Sequence, residues 1–287
     1  MYSFVSIIIP CYNDSDYIEK TVFSALNQTY TNIEVIVVDD GSNSETKAIL
    51  KKLEPKISKL ITQENQGQSI ARNNGIRIAK GEFILNLDSD DFFEPDFCLK
   101  AVNKFQEDDD IKIVTCIAKR FGKKRTIDIF TPRGGSINNF LFANAALGSS
   151  MFKRKDWELC GGYEEKLPIL GFEDWEFYIQ LLKHGGYAYV INEILFNYQV
   201  RENSTTDRIR DLKLDKFKHI IFKHKEMYKD NFDNLINNLI ERTRREEFEK
   251  VKNTKRIDFV IGKTILKPYR WIKSVIKHLK IWRDEKF

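Results

Sequence analysis

The chain has 287 residues, 42% of them hydrophobic and 31% charged. That is enough for a large α/β domain, or one domain with a smaller appendage, and it excludes collagen, coiled coil and disorder. The net charge of +5 is unevenly placed: residues 255–287 hold ten Lys/Arg against three Asp/Glu, which leaves −2 for the remainder. The body is therefore not a nucleic-acid surface. Four cysteines with no CxxC pair, Cys11, Cys98, Cys116 and Cys160, point to reduced thiols and a cytosolic setting. The apolar run from Phe4 to Ile9 lacks a basic flank and stops at Pro10, so it reads as a first strand rather than a signal peptide. No run reaches the length needed to span a bilayer.

In chain order, Val5 to Pro10 is continuous and β-branched, the pattern of a buried parallel strand. After Cys11-Tyr12-Asn13, Asp14 or Ser15 is placed to cap a helix in which Tyr17, Ile18, Val22 and Leu26 recur at helical spacing. Ile33 to Val38 is a second buried strand ending in Asp39-Asp40-Gly41-Ser42. A helix from near Ser44 to Leu53 and a short strand at Leu60-Ile61 follow. Gln66-Gly67 opens a third helix carrying Ile70, Ala71, Asn74, Ile76 and Ile78, which ends at Gly81. Phe83, Ile84, Leu85 and Leu87 form a run too short for a helix, and Asp88, Asp90 and Asp91 follow it directly. A helix from Pro95 to Phe105 and a strand from Ile111 to Ala118 come next. This alternation implies right-handed βαβ crossovers and a Rossmann-like, mostly parallel sheet flanked by helices. Farther on, Ser150 to Phe152 reads as a strand and Lys155 to Leu159 as a short helix. Another helix starts near Gly171, with Trp175, Phe177, Tyr178, Leu181 and Leu182 on buried faces. From Asp207 the chain turns helical and charged.

Polar clusters thus follow three strands, at Tyr12-Asn13, Asp39-Asp40 and Asp88 to Asp91, and parallel strands put those ends on one edge, where such sheets bind ligands. Three carboxylates as close as Asp88, Asp90 and Asp91 repel unless a cation or firm hydrogen bonds hold them, and hard oxygens suit Mg²⁺ or Mn²⁺. An acidic turn that caps the next helix accounts for them equally well. Asp40 is placed to accept from a base N–H or a ribose hydroxyl, or else belongs to a turn capping the second helix. Arg72 either reaches the same crevice or lies on a solvated surface. No Gly-x-Gly-x-x-Gly follows the first strand and no Gly-x-x-x-x-Gly-Lys occurs, which removes the main support for dinucleotide and P-loop readings, and for a nucleotidyltransferase.

Ser6-Ile-Ile-Ile-Pro-Cys-Tyr-Asn13, Gln28-Thr-Tyr, Glu34-Val-Ile-Val-Val-Asp-Asp-Gly-Ser42, Ala71-Arg-Asn-Asn-Gly75, Gly81-Glu82, Asp88-Ser-Asp-Asp91, Gly161-Gly-Tyr163 and Glu173-Asp174 together resemble an inverting family 2 glycosyltransferase of the GT-A fold. The resemblance implies a nucleotide-sugar-binding catalytic domain over residues 1–205 and a helical region over 206–287. It implies that Pro10, Tyr12 and Asn13 line the nucleotide pocket, that Asp40 bonds the base, and that Arg72 lies close by. Asp88 and Asp90 become the DxD pair at a divalent cation (Mn²⁺ or Mg²⁺), with Asp91 beside the donor sugar or metal. Asp174 becomes the base, and Glu173 orients it or an acceptor hydroxyl. Acids in a helix's first turn also suit the macrodipole without any catalytic role.

At Asn197-Tyr-Gln-Val-Arg-Glu-Asn-Ser204 the chain departs from the family pattern, with Gln199 where Arg is usual and Arg201 where His is usual. Arg has no acceptor lone pair and cannot ligate a metal. Arg201 is expected to meet the donor diphosphate as a charge clamp. The expected activity is transfer of a sugar from a nucleotide-diphosphate sugar to a hydroxyl of a glycan or lipid-linked acceptor, in bacterial surface polysaccharide synthesis. A non-catalytic nucleotide-sugar or scaffold protein on the same fold is the alternative. Residues 255–287 mix Phe259, Val260, Ile265, Trp271, Ile276 and Trp282 with regularly spaced Lys and Arg, a pattern that lies in an anionic membrane interface or packs on protein. The first option puts the protein in the cytoplasm, at the inner-membrane face.

Overall fold

The computed structural model describes residues 3–122, 126–166, 171–201, 213–257 and 259–268. The first half alternates as the sequence implies: β1 (Val5–Cys11), α1 (Ile18–Leu26), β2 (Ile33–Asp40), α2 (Ser44–Leu53), β3 (Lys59–Gln63), α3 (Gln68–Ile78) and β4 (Phe83–Asn86). Next come β5 (Phe92–Phe93), α4 (Phe97–Glu107), β6 (Ile111–Phe121), β7 (Thr126–Phe130), α5 (Ile137–Phe140), β8 (Met151–Lys153), α6 (Arg154–Cys160), α7 (Glu173–Leu182) and β9 (Tyr187–Gln199). The helices α8 (Lys213–Lys223), α9 (Lys225–Asp230) and α10 (Phe232–Thr254) follow.

One sheet runs in the order β3-β2-β1-β4-β8-β6-β9-β5, with β7 paired to β6. Its parallel part is β3-β2-β1-β4, in a register that pairs Ile8 with both Ile36 and Asn86. All seven residues of β1 and all four of β4 are buried, which is why these strands read as unbroken apolar runs. Beyond β4 the pairing is mixed. The strand β8 is antiparallel to β4 and β6, while β9 is parallel to β6 and antiparallel to β5. A core including Ile7, Ile9, Val22, Val37, Leu85, Phe97, Phe105 and Val114 is buried between sheet and helices.

Close packing of α3 on the sheet needs a glycine: a Cβ at Gly75 would lie 2.6 Å from Ile8 Cγ2. The side chain of Asn43 caps α2 by accepting from Thr46 N at 2.9 Å. The cap expected for α1 is different. Asp14 serves it only through its backbone carbonyl, which accepts from Tyr17 N and Ile18 N, and no side chain caps the helix. The Asp14 side chain is used elsewhere, as described below.

Two compact units are present, Met1–Lys225 and Glu226–Phe287. The first includes α8, whose Phe217 ring stacks on Trp175 at 5.5 Å. Glu176, fully buried on α7, receives Lys223 Nζ at 2.7 Å and His224 Nε2 at 2.9 Å. In the second unit α10 buries none of its residues. Among the described residues no helix is long and apolar enough to cross a membrane. Of the basic aromatic tail, Trp271, Ile276 and Trp282 lie outside the described residues. All four cysteines are free thiols.

Gly81, which leads into β4, donates its N–H to Ser6 Oγ at 2.8 Å, and a Cβ there would meet Ser6 N at 2.5 Å and Phe83 O at 2.7 Å. Backbone cannot give way as a side-chain tip can. Gly81→Ala is expected to lose about 1–3 kcal/mol of stability by overpacking, measured by urea denaturation; an unchanged midpoint would contradict the packing of β1 on β4.

Candidate active site

The parallel strands deliver three chain ends to one edge, and each end is fixed differently. At the end of β1, Pro10 is buried in the ladder opposite Val38. Tyr12 is half exposed, and Asn13 takes a positive φ of 58°, which lets its N–H reach Ser42 Oγ and its Oδ1 accept from Asn43 N. At the end of β2, Asp39 accepts from Ser42 N, and Asp40 is buried with three donors: Gln63 Nε2, Gln66 N and Gly67 N, at 2.8–2.9 Å. Asp40 thus anchors the loop that leads into α3, and most of its acceptor capacity is already used.

At the end of β4 the acidic turn is tied from several sides. Asp91 N donates to Asp88 O, and Thr21 Oγ1 on α1 lies within 2.9 Å of both Ser89 O and Asp91 O. Asp91 points inward and accepts from Gln199 N at 2.8 Å. Burial above all, then Asp90 and Asp88, holds its carboxyl well above the ordinary range. Asp14 accepts from Ser89 Oγ. Arg201 closes the group: Nη1 reaches Asp14 Oδ1 and Nη2 reaches Asp90 Oδ2, both at 2.6 Å, with the guanidinium 5.0 Å over the Tyr17 ring. Burial pushes Asp90 up to about 6, with Asp88 and Asp14 adding to the rise and Arg201 opposing it.

Arg72 is buried rather than solvated, at 2% exposure, and its Nη2 bonds Asp88 Oδ1 at 2.6 Å, an oxygen that also accepts from Gln68 Nε2. Burial opposes its charge, but Asp88 and, farther off, Tyr163, Glu173 and Asp174 outweigh that and hold its pKa above the ordinary value. Among the described residues its Nε and Nη1 have no hydrogen-bond partner. Asp174, in the first turn of α7, lies near enough to feel this guanidinium. Its carboxyl is raised to about 7, by burial first and by Glu173 next, while Arg72 and the Trp175 N–H pull it down. Glu173 is buried and accepts from Gly171 N.

The expected residues therefore fall into four groups: Asp88, Arg72, Glu173 and Asp174; Asp90, Asp91 and Arg201; Asp40 with the loop before α3; and Pro10, Tyr12 and Asn13 at the end of β1. Sequence reasoning overlooked Asp14 as a partner of Arg201, and also Asn144, whose Nδ2 donates to Asp174 Oδ2 at 2.8 Å. Asn144 lies in Asn-Ala-Ala-Leu-Gly, a stretch with no periodicity or motif to single it out.

Among the described residues no three His, Cys, Asp or Glu side chains gather as a metal cluster. A divalent cation nonetheless fits Asp88 and Asp90. Asp88 adds to the raised proton affinity of Asp90, four acids (Asp14, Asp88, Asp90, Asp91) face two guanidiniums, and Mg²⁺ or Mn²⁺ takes one or two carboxylates with substrate phosphate completing its shell.

Comparison with known proteins adds an independent line. The family model described as Glycosyl transferase family 2 matches residues 6–155. TuaG of Bacillus subtilis, named as a teichuronic acid biosynthesis glycosyltransferase, is 32% identical over 206 residues, covering 70% of this chain and 80% of that protein. The chondroitin synthase of Escherichia coli is 34% identical over 229 residues, 75% of this chain; the chain spans only 31% of that enzyme's length, and 25% of the Pasteurella multocida chondroitin synthase. The crystal structure of S. aureus TarS 1–349 in complex with UDP-GlcNAc shares the fold with a TM-score of 0.58 at 22% identity, covering 71% of this chain and 60% of that one.

A carboxyl titrating near 7 when folded, against the usual 3.8, binds more proton in the folded state between those values. Stability therefore falls as pH rises through that window, and the penalty is complete above about 7. Asp174→Asn is expected to melt a few degrees higher than wild type at pH 8, a gain on the order of 1 kcal/mol, with the gap narrowing as pH falls toward 4. Equal melting temperatures at both pH values would contradict the burial of this carboxylate.

Proposed function

Since the chain belongs to glycosyl transferase family 2, we propose that it moves a sugar from a nucleotide-diphosphate sugar to a hydroxyl of a glycan or lipid-linked acceptor, with inversion, in bacterial surface polysaccharide synthesis. What carries this reading is buried Arg72, which bonds Asp88, the proposed donor-side acid, and pulls down the pKa of Asp174, the proposed base. A relative named for teichuronic acid biosynthesis and two chondroitin synthases support the polymer-building role, and TarS, holding UDP-GlcNAc on the same fold, supports the donor class.

In this reading the Asp174 carboxylate accepts the proton of the acceptor hydroxyl as its oxygen attacks the anomeric carbon. A pKa near 7 suits a general base at neutral pH. The bond from that carbon to the diphosphate breaks on the opposite face, so configuration inverts and no covalent nucleophile is needed. The guanidinium of Arg201, 34% exposed, swings from Asp90 and Asp14 to the departing diphosphate. Tyr12 packs against the base and Asp40 keeps the α3 loop in place beneath it. Asp90 and Asp88 are the residues that would hold a divalent cation, which when bound would supply Lewis-acid neutralisation of the leaving group. Glu173 orients the first turn of α7.

The finer reading of the tail is peripheral binding at the cytoplasmic face of the inner membrane. Residues 259–268 are helical and Ile257, Phe259, Val260, Ile261, Ile265 and Leu266 are exposed, next to the charge of +7 carried by 255–287. Liposomes rich in anionic lipid should co-sediment the full chain but not a chain ending at 254; equal sedimentation of the two would sink this part.

A screen of nucleotide-sugars by thermal shift with Mn²⁺ or Mg²⁺ should find one class that raises the melting temperature, since ligand binding stabilises the native state by mass action. With that donor, Asp174→Asn should lower turnover at least about a hundredfold while nucleotide binding is kept, and Asp90→Ala should weaken metal-dependent donor binding. Near wild-type turnover in Asp174→Asn would remove the base assignment.

A further inference from the structure

The segment that enters β8 wraps around the Asp174 carboxylate. Asn144 Nδ2 donates to Asp174 Oδ2 at 2.8 Å, and Asn144 Oδ1 in turn accepts from Ala146 N at 3.2 Å. The backbone N–H fixes which end of the amide faces which way, so the donor end is the one turned to the carboxylate. On the same side Gly148 comes so close that a Cβ there would lie 2.9 Å from Asp174 Oδ2. The segment is held by the helix that carries the base. Tyr178 Oη on α7 lies 2.7 Å from Leu147 O and 2.9 Å from Gly148 O, and Trp175 Nε1 donates to Phe140 O. Leu147 N donates to Thr115 Oγ1 on β6 at 3.3 Å. Base and support are thus one rigid piece.

We propose that Asn144 is a positioning residue for the base: its amide holds Asp174 Oδ2 against the β8 entry segment, where the bare Gly148 leaves room for that oxygen, and so leaves Oδ1 to take the acceptor proton. The inference rests on the reading of Asp174 as base. Other groups also act on this carboxylate: Glu173 and the Trp175 N–H from its own helix, Arg72 from α3, Asp88 from the turn after β4, and Tyr178 one turn along α7. Asn144 donates to it as a neutral side chain, so it fixes direction without adding charge. A donor to the ionised form also favours that form.

The test is a carboxyl titration of the full-length protein labelled with ¹³Cγ-aspartate and followed by NMR, with the Asp174 resonance identified by its loss in Asp174→Asn. Asn144→Ala should move the Asp174 midpoint upward by about one pH unit or more, the equivalent of losing one hydrogen bond to a charged group. Asn144→Asp, which keeps the shape and faces a carboxylate with a carboxylate, should move it farther. Gly148→Ala should displace the same resonance by crowding Oδ2. A wild-type midpoint in the folded Asn144 variants overturns the positioning role and leaves the base reading intact. If Asn144→Ala does not fold, Asn144→Asp decides alone. Wild-type turnover in Asp174→Asn would instead remove the base, and this proposal with it.

Discussion

A buried guanidinium holds the catalytic edge together. Arg72 projects from α3 into a site 2% exposed and bonds Asp88, the first acid after β4. A charge taken out of water is tolerated only when well paired, and removing Asp88 would strand the buried guanidinium at a cost of several kcal/mol. The pair therefore fixes the acidic turn relative to the third helix before any ligand arrives. Gln68, one helical turn earlier, donates to the same oxygen, so the direction of the Asp88 carboxylate is set by α3 rather than by the turn itself. The same guanidinium draws down the pKa of Asp174, so one cation acts on both the turn after β4 and the first turn of α7.

Arg201 does for Asp90 what Arg72 does for Asp88, but on different terms. It is a third exposed and shares its charge between Asp14 and Asp90. An exposed guanidinium with two carboxylates can change partners when a more highly charged one appears, whereas a buried one cannot. One arginine is thus sealed in place, and the other keeps the freedom to change partners. The acids are graded in the same way. Asp91 is sealed and bound to the backbone of β9, Asp90 lies near 6, and Asp174 lies near 7. Environments that separate the pKa values of neighbouring carboxylates assign them separate tasks.

The alternating half was legible because buried parallel strands and amphipathic helices write their periods plainly: β1, β2, β4 and the helices between them lie where apolar spacing puts them. The sheet beyond β4 was harder to read. The strand β5 has two residues and β8 three, too few to show any period, and β7 is exposed along its whole length. The 13-residue β9 mixes buried and exposed positions without regular alternation. At the site, the motif acids stood out, but their partners did not. Asp14 has the sequence context of a helix cap, and only the fold places it beside Arg201, 187 positions away. Arg72 on its helix is indistinguishable from a surface arginine until Tyr163 and Asp88 cover it.

That 187-residue separation between Asp14 and Arg201 has a consequence for biosynthesis. Strands β1, β2 and β3 pair with neighbours near in sequence, and β4 returns to pair with β1, so the parallel half is complete once β4 has left the ribosome. The acidic turn, by contrast, waits for the last strand of the sheet to supply Gln199 and Arg201, and until then its carboxylates face one another without that clamp. The acidic turn is therefore completed only after β9 is made, and a nascent chain stopped short of β9 would hold the parallel half beside an unclamped cluster of carboxylates.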